Sequence, residues 1–251
     1  MSEILTDAEN SIFTVTLNRP EKRNALNDAL IGSLKEALHE ADRDDDLRAI
    51  VIRGAGKDFC SGADLSALKK ISESDVMENL ADAENLLELF SLIRRIKIPV
   101  IAAVHGRALA GGCGLATACD IVLAARSARF GYPEVRIGFV PAMVMAILRR
   151  NLSEKRSFEL ITKGFDFDAG MAETMGLINR VFPDEKFEEE VRNFAEEYAR
   201  VSRSAVILSK KLLYQMDSMP FDAALAVGAE VNTIARLTED CRKGIARFLE
   251  K

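Results

Sequence analysis

The segment from Pro99 to Pro141 constrains this chain more than any other. It opens with Pro99-Val-Ile-Ala-Ala-Val-His-Gly106, an apolar run of strand length that a glycine stops. Arg107-Ala-Leu-Ala110 then leads into Gly111-Gly112-Cys113-Gly114, and a second apolar run covers Ile121–Ala125. Two parallel buried strands need a crossover between them, and residues 111–119 have room only for a short helix. The glycines allow backbone conformations and close approaches that side chains forbid. A helix starting there leaves N–H groups unpaired and points the positive end of its dipole outward, which suits a developing negative charge. Taken alone, such a turn serves tight strand–helix packing equally well.

The rest of the chain alternates in the same way. Residues 11–17 read as a strand, followed by the polar loop Asn18-Arg-Pro-Glu-Lys-Arg-Asn-Ala-Leu26. Asn27 or Asp28 caps a helix in which Leu30, Leu34, Ala37, Leu38 and Ala41 recur at helical spacing, ending in the acidic cluster 42–46. Residues 49–52 form a short strand. Val76, Leu80, Ala83, Leu87 and Phe90 mark a long helix that ends before Pro99. Gly164 and Gly176 stop two further helices, 153–163 and 168–175, and 178–182 forms a last strand. From Phe187 onward helix formers dominate. Strands alternating with helices give an α/β class, with a core over 1–183 and a helical region over 184–251 for packing or subunit contact.

Composition excludes several function classes. The 39 acidic and 34 basic residues leave a net charge of −5, against a nucleic-acid surface built on phosphate neutralisation. No apolar run nears the roughly 20 residues of a membrane helix, and the acidic first residues lack a signal-peptide core. Cys60, Cys113, Cys119 and Cys241 lack metal-ligand spacing, so no metal site is expected. Reduced thiols fit a cytoplasmic protein.

Among candidate chemical groups, Gly62 in Phe59-Cys-Ser-Gly-Ala-Asp-Leu65 lets the chain bend so that the Ala63 N–H points outward. Ala63 and Gly111 would then supply the two donors of an oxyanion hole. Glu134 follows Pro133 among Phe130, Tyr132 and Val135, where partial desolvation would raise its pKa toward that of a working acid or base. His39 reads as a surface residue and His105 as a structural one. Ser61 has no triad partners at motif spacing, and neither a Walker A nor a dinucleotide fingerprint is present.

These residues together resemble the crotonase superfamily, the enoyl-CoA hydratase/isomerase family. Residues 19–26 are similar to its first CoA-contacting loop, 59–65 to its first oxyanion segment, and 99–120 to its central signature. Phe130-Gly-Tyr-Pro-Glu-Val-Arg-Ile-Gly138 resembles the segment bearing the second catalytic glutamate, and 238–251 the closing helix. The resemblance implies a spiral of ββα units with a C-terminal helical trimerisation region, a homotrimer or dimer of trimers, and an acyl-CoA substrate. No cofactor is implied beyond the CoA of that thioester. It also implies Glu134 as catalytic acid/base and Ala63 and Gly111 as oxyanion donors. Lys22, Arg23, Ala25, Ala63, Asp64, Leu65, Gly111, Phe248 and Lys251 would contact substrate or CoA, with the last two reaching a site in a neighbouring subunit. Residues 68–92 would line the acyl end.

The chain departs from this pattern at Gly114, where two-glutamate hydratases carry a carboxylate. Hydration of a 2-enoyl-CoA is the leading expectation on family grounds. Isomerisation of a 3-enoyl-CoA by Glu134 alone is the alternative that Gly114 favours, and a non-catalytic acyl-CoA binder is a third reading. Asp64, Glu84 and Glu88 are candidate replacements for the missing carboxylate.

Overall fold

A computed structural model describes residues 2–250, Leu65 by its backbone alone. β1 (Ile4–Glu9) and β2 (Ile12–Leu17) make an antiparallel hairpin around Asn10 and Ser11, whose φ values are 51° and 65°. Two positive-φ residues match the twist of the flanking strands, and this is why β2 begins at Ile12 rather than Ser11. β1 was not expected: five of its six residues are exposed along the sheet edge. α1 (Asp28–Arg43) follows, with the Asn27 side chain accepting from the Leu30 N–H at 2.8 Å, a cap worth about 1 kcal/mol.

β3 (Ala49–Gly54), α2 (Leu65–Glu73) and α3 (Val76–Arg95) come next, α3 starting from a reciprocal Asp75–Glu78 cap. The central segment gives β4 (Val100–Val104), β5 (Arg107–Leu109), α4 (Gly111–Ala118), β6 (Ile121–Ala125) and β7 (Arg129–Gly131). β4 and β6 are parallel neighbours, as the short crossover helix required. A 3₁₀ turn over Pro133–Ile137 leads to α5 (Ala142–Asn151), α6 (Glu154–Lys163), β8 (Asp166–Asp168), α7 (Ala169–Met175) and β9 (Arg180–Phe182). Gly164 and Gly176 end α6 and α7 in left-handed conformation. β9 starts two residues later than expected: the Asn179 N–H donates to the Val122 carbonyl at 2.9 Å, but the Val122 N–H is taken by the Asn179 side-chain oxygen at 2.8 Å, so the backbone ladder begins only at Arg180. The chain closes with α8 (Phe187–Glu196), α9 (Arg203–Gln215), α10 (Phe221–Leu237) and α11 (Glu239–Leu249).

The large sheet runs β1-β2-β3-β4-β6-β9, parallel throughout except for the first hairpin. Strand side chains alternate between its faces. Val15, Leu17, Ile50, Ile52, Val100, Ala102 and Val122 point into the main core with α1, α3 and α4. Ile12, Val51, Ile101, Ala103 and Leu123 face the other way and are covered by Phe187, Val191 and Ala195 of α8. Burial on both faces explains why β4 reads as an unbroken apolar run. A second sheet, β5-β7-β8, stacks Phe130 on Phe167 with ring centroids 6.0 Å apart. It connects to residue 60 through a parallel Cys60–Ala108 bridge. The combination is a mixed α/β fold.

α9 is pinned to the core by ions. Lys210 Nζ lies 2.6 Å from Asp120 Oδ2 and donates to the carbonyls of Ile93 and Ile98 at 3.1 and 3.0 Å. The Tyr214 hydroxyl donates to the other Asp120 oxygen at 2.5 Å. Burial lowers the Lys210 pKa, opposed by the Asp120 charge. α10 buries none of its residues although Leu225, Ile234 and Leu237 are apolar and exposed. Among the described residues, no helix is long and apolar enough to cross a membrane. Removing one partner of a buried pair strands the other charge. Lys210→Ala is therefore expected to lower unfolding free energy by about 3–5 kcal/mol, measured by urea denaturation, whereas removing the exposed Lys243 leaves it unchanged.

Candidate functional site

The loop before α1 is built around one buried amide. Arg23 and Asn24 sit at φ 52° and 54°, a conformation that Asn tolerates better than most residues. The Asn24 side chain is fully buried; its oxygen accepts from the Arg19 N–H at 2.9 Å, and its nitrogen donates to the Ala55 and Asp58 carbonyls at 2.9 and 2.8 Å. This folds Ala25 inward and leaves Lys22 and Arg23 exposed on the outside of the loop.

The 60–63 segment lies between that loop and β5. The Cys60 N–H donates to the Arg107 carbonyl and the Leu109 N–H to the Cys60 carbonyl, both at 3.0 Å. On the other side, the Leu26 N–H donates to the Gly62 carbonyl at 2.7 Å and the Asp64 N–H to the Leu26 carbonyl at 2.9 Å. In a parallel bridge of this kind the residue between the two bonds directs its own N–H away from the partner strand. That residue is Ala63; it is exposed, and its N–H has no hydrogen-bond partner among the described residues.

Glycine brings the second segment alongside. Gly62 has φ 96°, and a Cβ on it would lie 2.8 Å from the Ala110 Cβ and 3.6 Å from the Gly111 nitrogen. A Cβ on Gly112 would lie 2.2 Å from the Cys60 carbonyl oxygen. Ala110 turns the chain at φ 49°, ψ −126°, so that Gly111 opens α4. The Ala110 N–H is taken by the Gly131 carbonyl, and the Gly114 N–H closes the first helical turn on the Ala110 carbonyl, each at 2.9 Å. The Gly111 N–H, like that of Ala63, has no partner among the described residues. The structure thus brings together the two N–H groups that the sequence singled out.

Glu134 occupies the 3₁₀ turn after Tyr132. Its Oε2 is buried without a hydrogen-bond partner, and desolvation raises its pKa above the ordinary glutamate value. Burial pushes the Cys113 thiol up to about 12, and the Glu134 charge adds to that rise. The Tyr132 ring lies beneath, wholly buried, with its hydroxyl 3.3 Å from Thr117 Oγ1.

At Gly114 the structure is apolar. A Cβ there would meet Val144 Cγ2 at 2.8 Å and Phe90 Cζ at 3.1 Å. None of the three candidate replacement carboxylates fills the gap. Asp64 caps α2, its Oδ1 accepting from the Ser66 N–H at 2.9 Å, and its Oδ2 lies 2.7 Å from Arg19. The Ser66 backbone and hydroxyl, with Arg19, hold its pKa down at about 2. Glu88 pairs with Lys35 at 2.9 Å, and Glu84 is exposed. Each of these candidates is engaged elsewhere or solvated.

His105 is structural, its Nε2 3.0 Å from the Gly56 carbonyl, and His39 is exposed on α1, both as expected. Leu65 is the first residue of α2. Phe248 is 79% exposed on α11, which packs on α9 and α10, helices that contribute none of the other named residues. Lys251 lies outside the described residues. Among the described residues no group of three or more His, Cys, Asp or Glu side chains could hold a metal ion. Sequence reasoning missed Asn24, Arg19 and Val144. Asn24 is a residue type that tolerates positive φ, but the adjoining Arg23 is not, and the distant carbonyls that Asn24 reaches leave no local signal.

The sequence profile of the family described as enoyl-CoA hydratase/isomerase matches residues 7–251. A Thermus thermophilus protein provisionally named an enoyl-CoA hydratase is 40% identical over 240 residues, 96% of this chain and 95% of its own. Escherichia coli 2,3-dehydroadipyl-CoA hydratase is 35% identical over 252 residues, 100% of this chain and 97% of its own. The crystal structure of an enoyl-CoA hydratase from Mycobacterium smegmatis matches with a TM-score of 0.95 at 30% identity, covering 100% of this chain and 97% of that one.

The packing at residue 114 is directly testable. Gly114→Ala is expected to destabilise the protein by about 1–3 kcal/mol through overpacking. Val144→Ala in the same chain should return part of that loss, because it removes the nearer of the two colliding groups. Urea denaturation of both variants and the double variant checks this.

Proposed function

The chain belongs to the enoyl-CoA hydratase/isomerase family, and from that premise we propose that it moves a proton at the carbon beside an enoyl-CoA thioester. In this reading the thioester oxygen accepts from the Ala63 and Gly111 N–H groups. Lys22 and Arg23 lie along the phosphates of CoA, with Ala25, Asp64 and Leu65 contributing to the CoA-binding wall. Glu134 removes a proton from carbon 2 of a 3-enoyl-CoA, and the electron pair moves onto the thioester oxygen as an enolate. The same carboxyl group returns the proton to carbon 4 and the double bond settles at carbon 2. Each backbone donor aimed at such an oxyanion lowers the barrier by about 3–4 kcal/mol.

The observation that carries this reading is the wall at Gly114. Val144 and Phe90 fill the space where a second carboxylate would stand. One buried glutamate with a free oxygen is sufficient for a proton shift, whereas dividing the work of water addition calls for two groups. Hydration of a 2-enoyl-CoA is the second reading, supported by the hydratase names of the Thermus and Escherichia relatives. There Glu134 would both orient water and protonate carbon 2. Neither reaction calls for a cofactor beyond the CoA of the substrate.

The exposed apolar residues of α9–α11 support self-association as a trimer or a dimer of trimers, in which Phe248 and Lys251 would reach a neighbour's CoA. A cytoplasmic setting accords with four free cysteines.

The purified protein is expected to convert a 3-enoyl-CoA faster than it hydrates a 2-enoyl-CoA; the reverse ranking would favour the second reading. Binding of both thioesters without turnover would contradict both. Glu134→Gln should lower kcat by about 10²–10⁴-fold. The reaction needs the unprotonated base, and desolvation raises its pKa. Wild-type rate should therefore rise with pH through a midpoint above the 4.5 of an unperturbed glutamate.

A further inference from the structure

Ala63 has no side chain with which to fix its own peptide, so the aim of its N–H depends on what holds its neighbours. Those neighbours are bonded to Leu26, and Leu26 belongs to a loop that must itself be held. One planar group reaches both. Arg19 Nη1 donates to the Ala25 carbonyl at 2.5 Å, and Nη2 donates to Asp64 Oδ2 at 2.7 Å. Residues 25 and 64 flank the Leu26–Ala63 bridge. The two side chains are well shielded, with 13% of Arg19 and 7% of Asp64 exposed. The other Asp64 oxygen is committed to Ser66, so its two oxygens have separate duties. A third contact, Arg19 Nε 3.0 Å from Glu3 Oε2, lacks the alignment of a hydrogen bond and points away from the site toward the N-terminal strand.

We propose that Arg19 is a positioning residue, whose guanidinium joins the Ala25 carbonyl to the Asp64 carboxylate and so aims the Ala63 N–H at the thioester oxygen. This rests on the reading of Ala63 as an oxyanion donor. Only the planar fork of arginine spans both acceptors with fixed geometry; a lysine ammonium keeps the charge without the geometry. Loosening the brace leaves CoA contacts outside the strap intact, so the loss falls on the reaction step rather than on binding.

The test combines kinetics with infrared difference spectra of a bound saturated acyl-CoA labelled with ¹³C at the thioester carbonyl. Wild type should lower the carbonyl stretching frequency on binding. Arg19→Lys should lose part of that shift and lower kcat about 10- to 100-fold, with KM within about twofold. Asp64→Asn, which keeps an oxygen for the Ser66 cap, should lose the same part of the shift and of kcat, whatever its KM, and provides the test should the Arg19 variant fold poorly. Glu3→Ala, which removes the third contact of the same guanidinium, should leave both the shift and kcat at wild-type values. A wild-type shift that persists undiminished in Arg19→Lys and Asp64→Asn, with only thermal stability reduced, would overturn the positioning role alone. Absence of a shift in wild type would overturn the oxyanion reading and this inference with it.

Discussion

Two backbones approach each other here more closely than side chains permit, and the rest of the site depends on that approach. Gly62 lies against Ala110, and Gly112 against the carbonyl of Cys60, at separations that any Cβ would violate. The approach places the Ala63 and Gly111 N–H groups, from segments nearly fifty residues apart, at one locality. It also forces Ala110 into a positive-φ conformation of the kind that costs about 1–3 kcal/mol. Hydrogen bonds from Gly114 and to Gly131 hold that residue in place. Behind it, the parallel strands β4 and β6 are buried on both faces and fix the start and end of the crossover that contains α4.

The two sides of the site differ in polarity. After β7 stands a desolvated glutamate with an unpartnered oxygen, two residues beyond a buried tyrosine. Behind Gly114 stand a valine and a phenylalanine. An unpartnered carboxylate oxygen away from water is costly, and it persists where the group's proton affinity matters to the chemistry. The asymmetry sets an ionisable group on one side and hydrocarbon on the other. A family whose members add water or move double bonds can vary its reaction by such a change without altering the backbone donors.

Much of this was legible in the sequence. The parallel core strands announced themselves as continuous apolar runs, α1 by helical periodicity and its cap at Asn27, and α6 and α7 by the glycines that stop them, Gly164 and Gly176. Those signals are local, so they survive without knowledge of the fold. β1 escaped because an edge strand paired on one side has no apolar period to display. The small sheet escaped because strands of three residues, such as Asp166–Asp168, exist only through their partners. In the site, Ala63, Gly111 and Glu134 were recognisable as a family pattern, since glycine spacing and Pro-Glu order are sequence properties. The brace of Arg19, the buried amide of Asn24 and the wall of Val144 were not, because each acts across 30 residues or more.

In the proposed reaction, two backbone N–H groups and Glu134 together acidify the carbon beside a CoA thioester. Exchange of that carbon's protons in D₂O, followed by NMR on a saturated acyl-CoA, tests it without reference to either double-bond reaction. Wild type is expected to exchange these protons well above the uncatalysed rate, and Glu134→Gln to bring exchange back to that rate. No exchange by wild type, or exchange undiminished in Glu134→Gln, would contradict it.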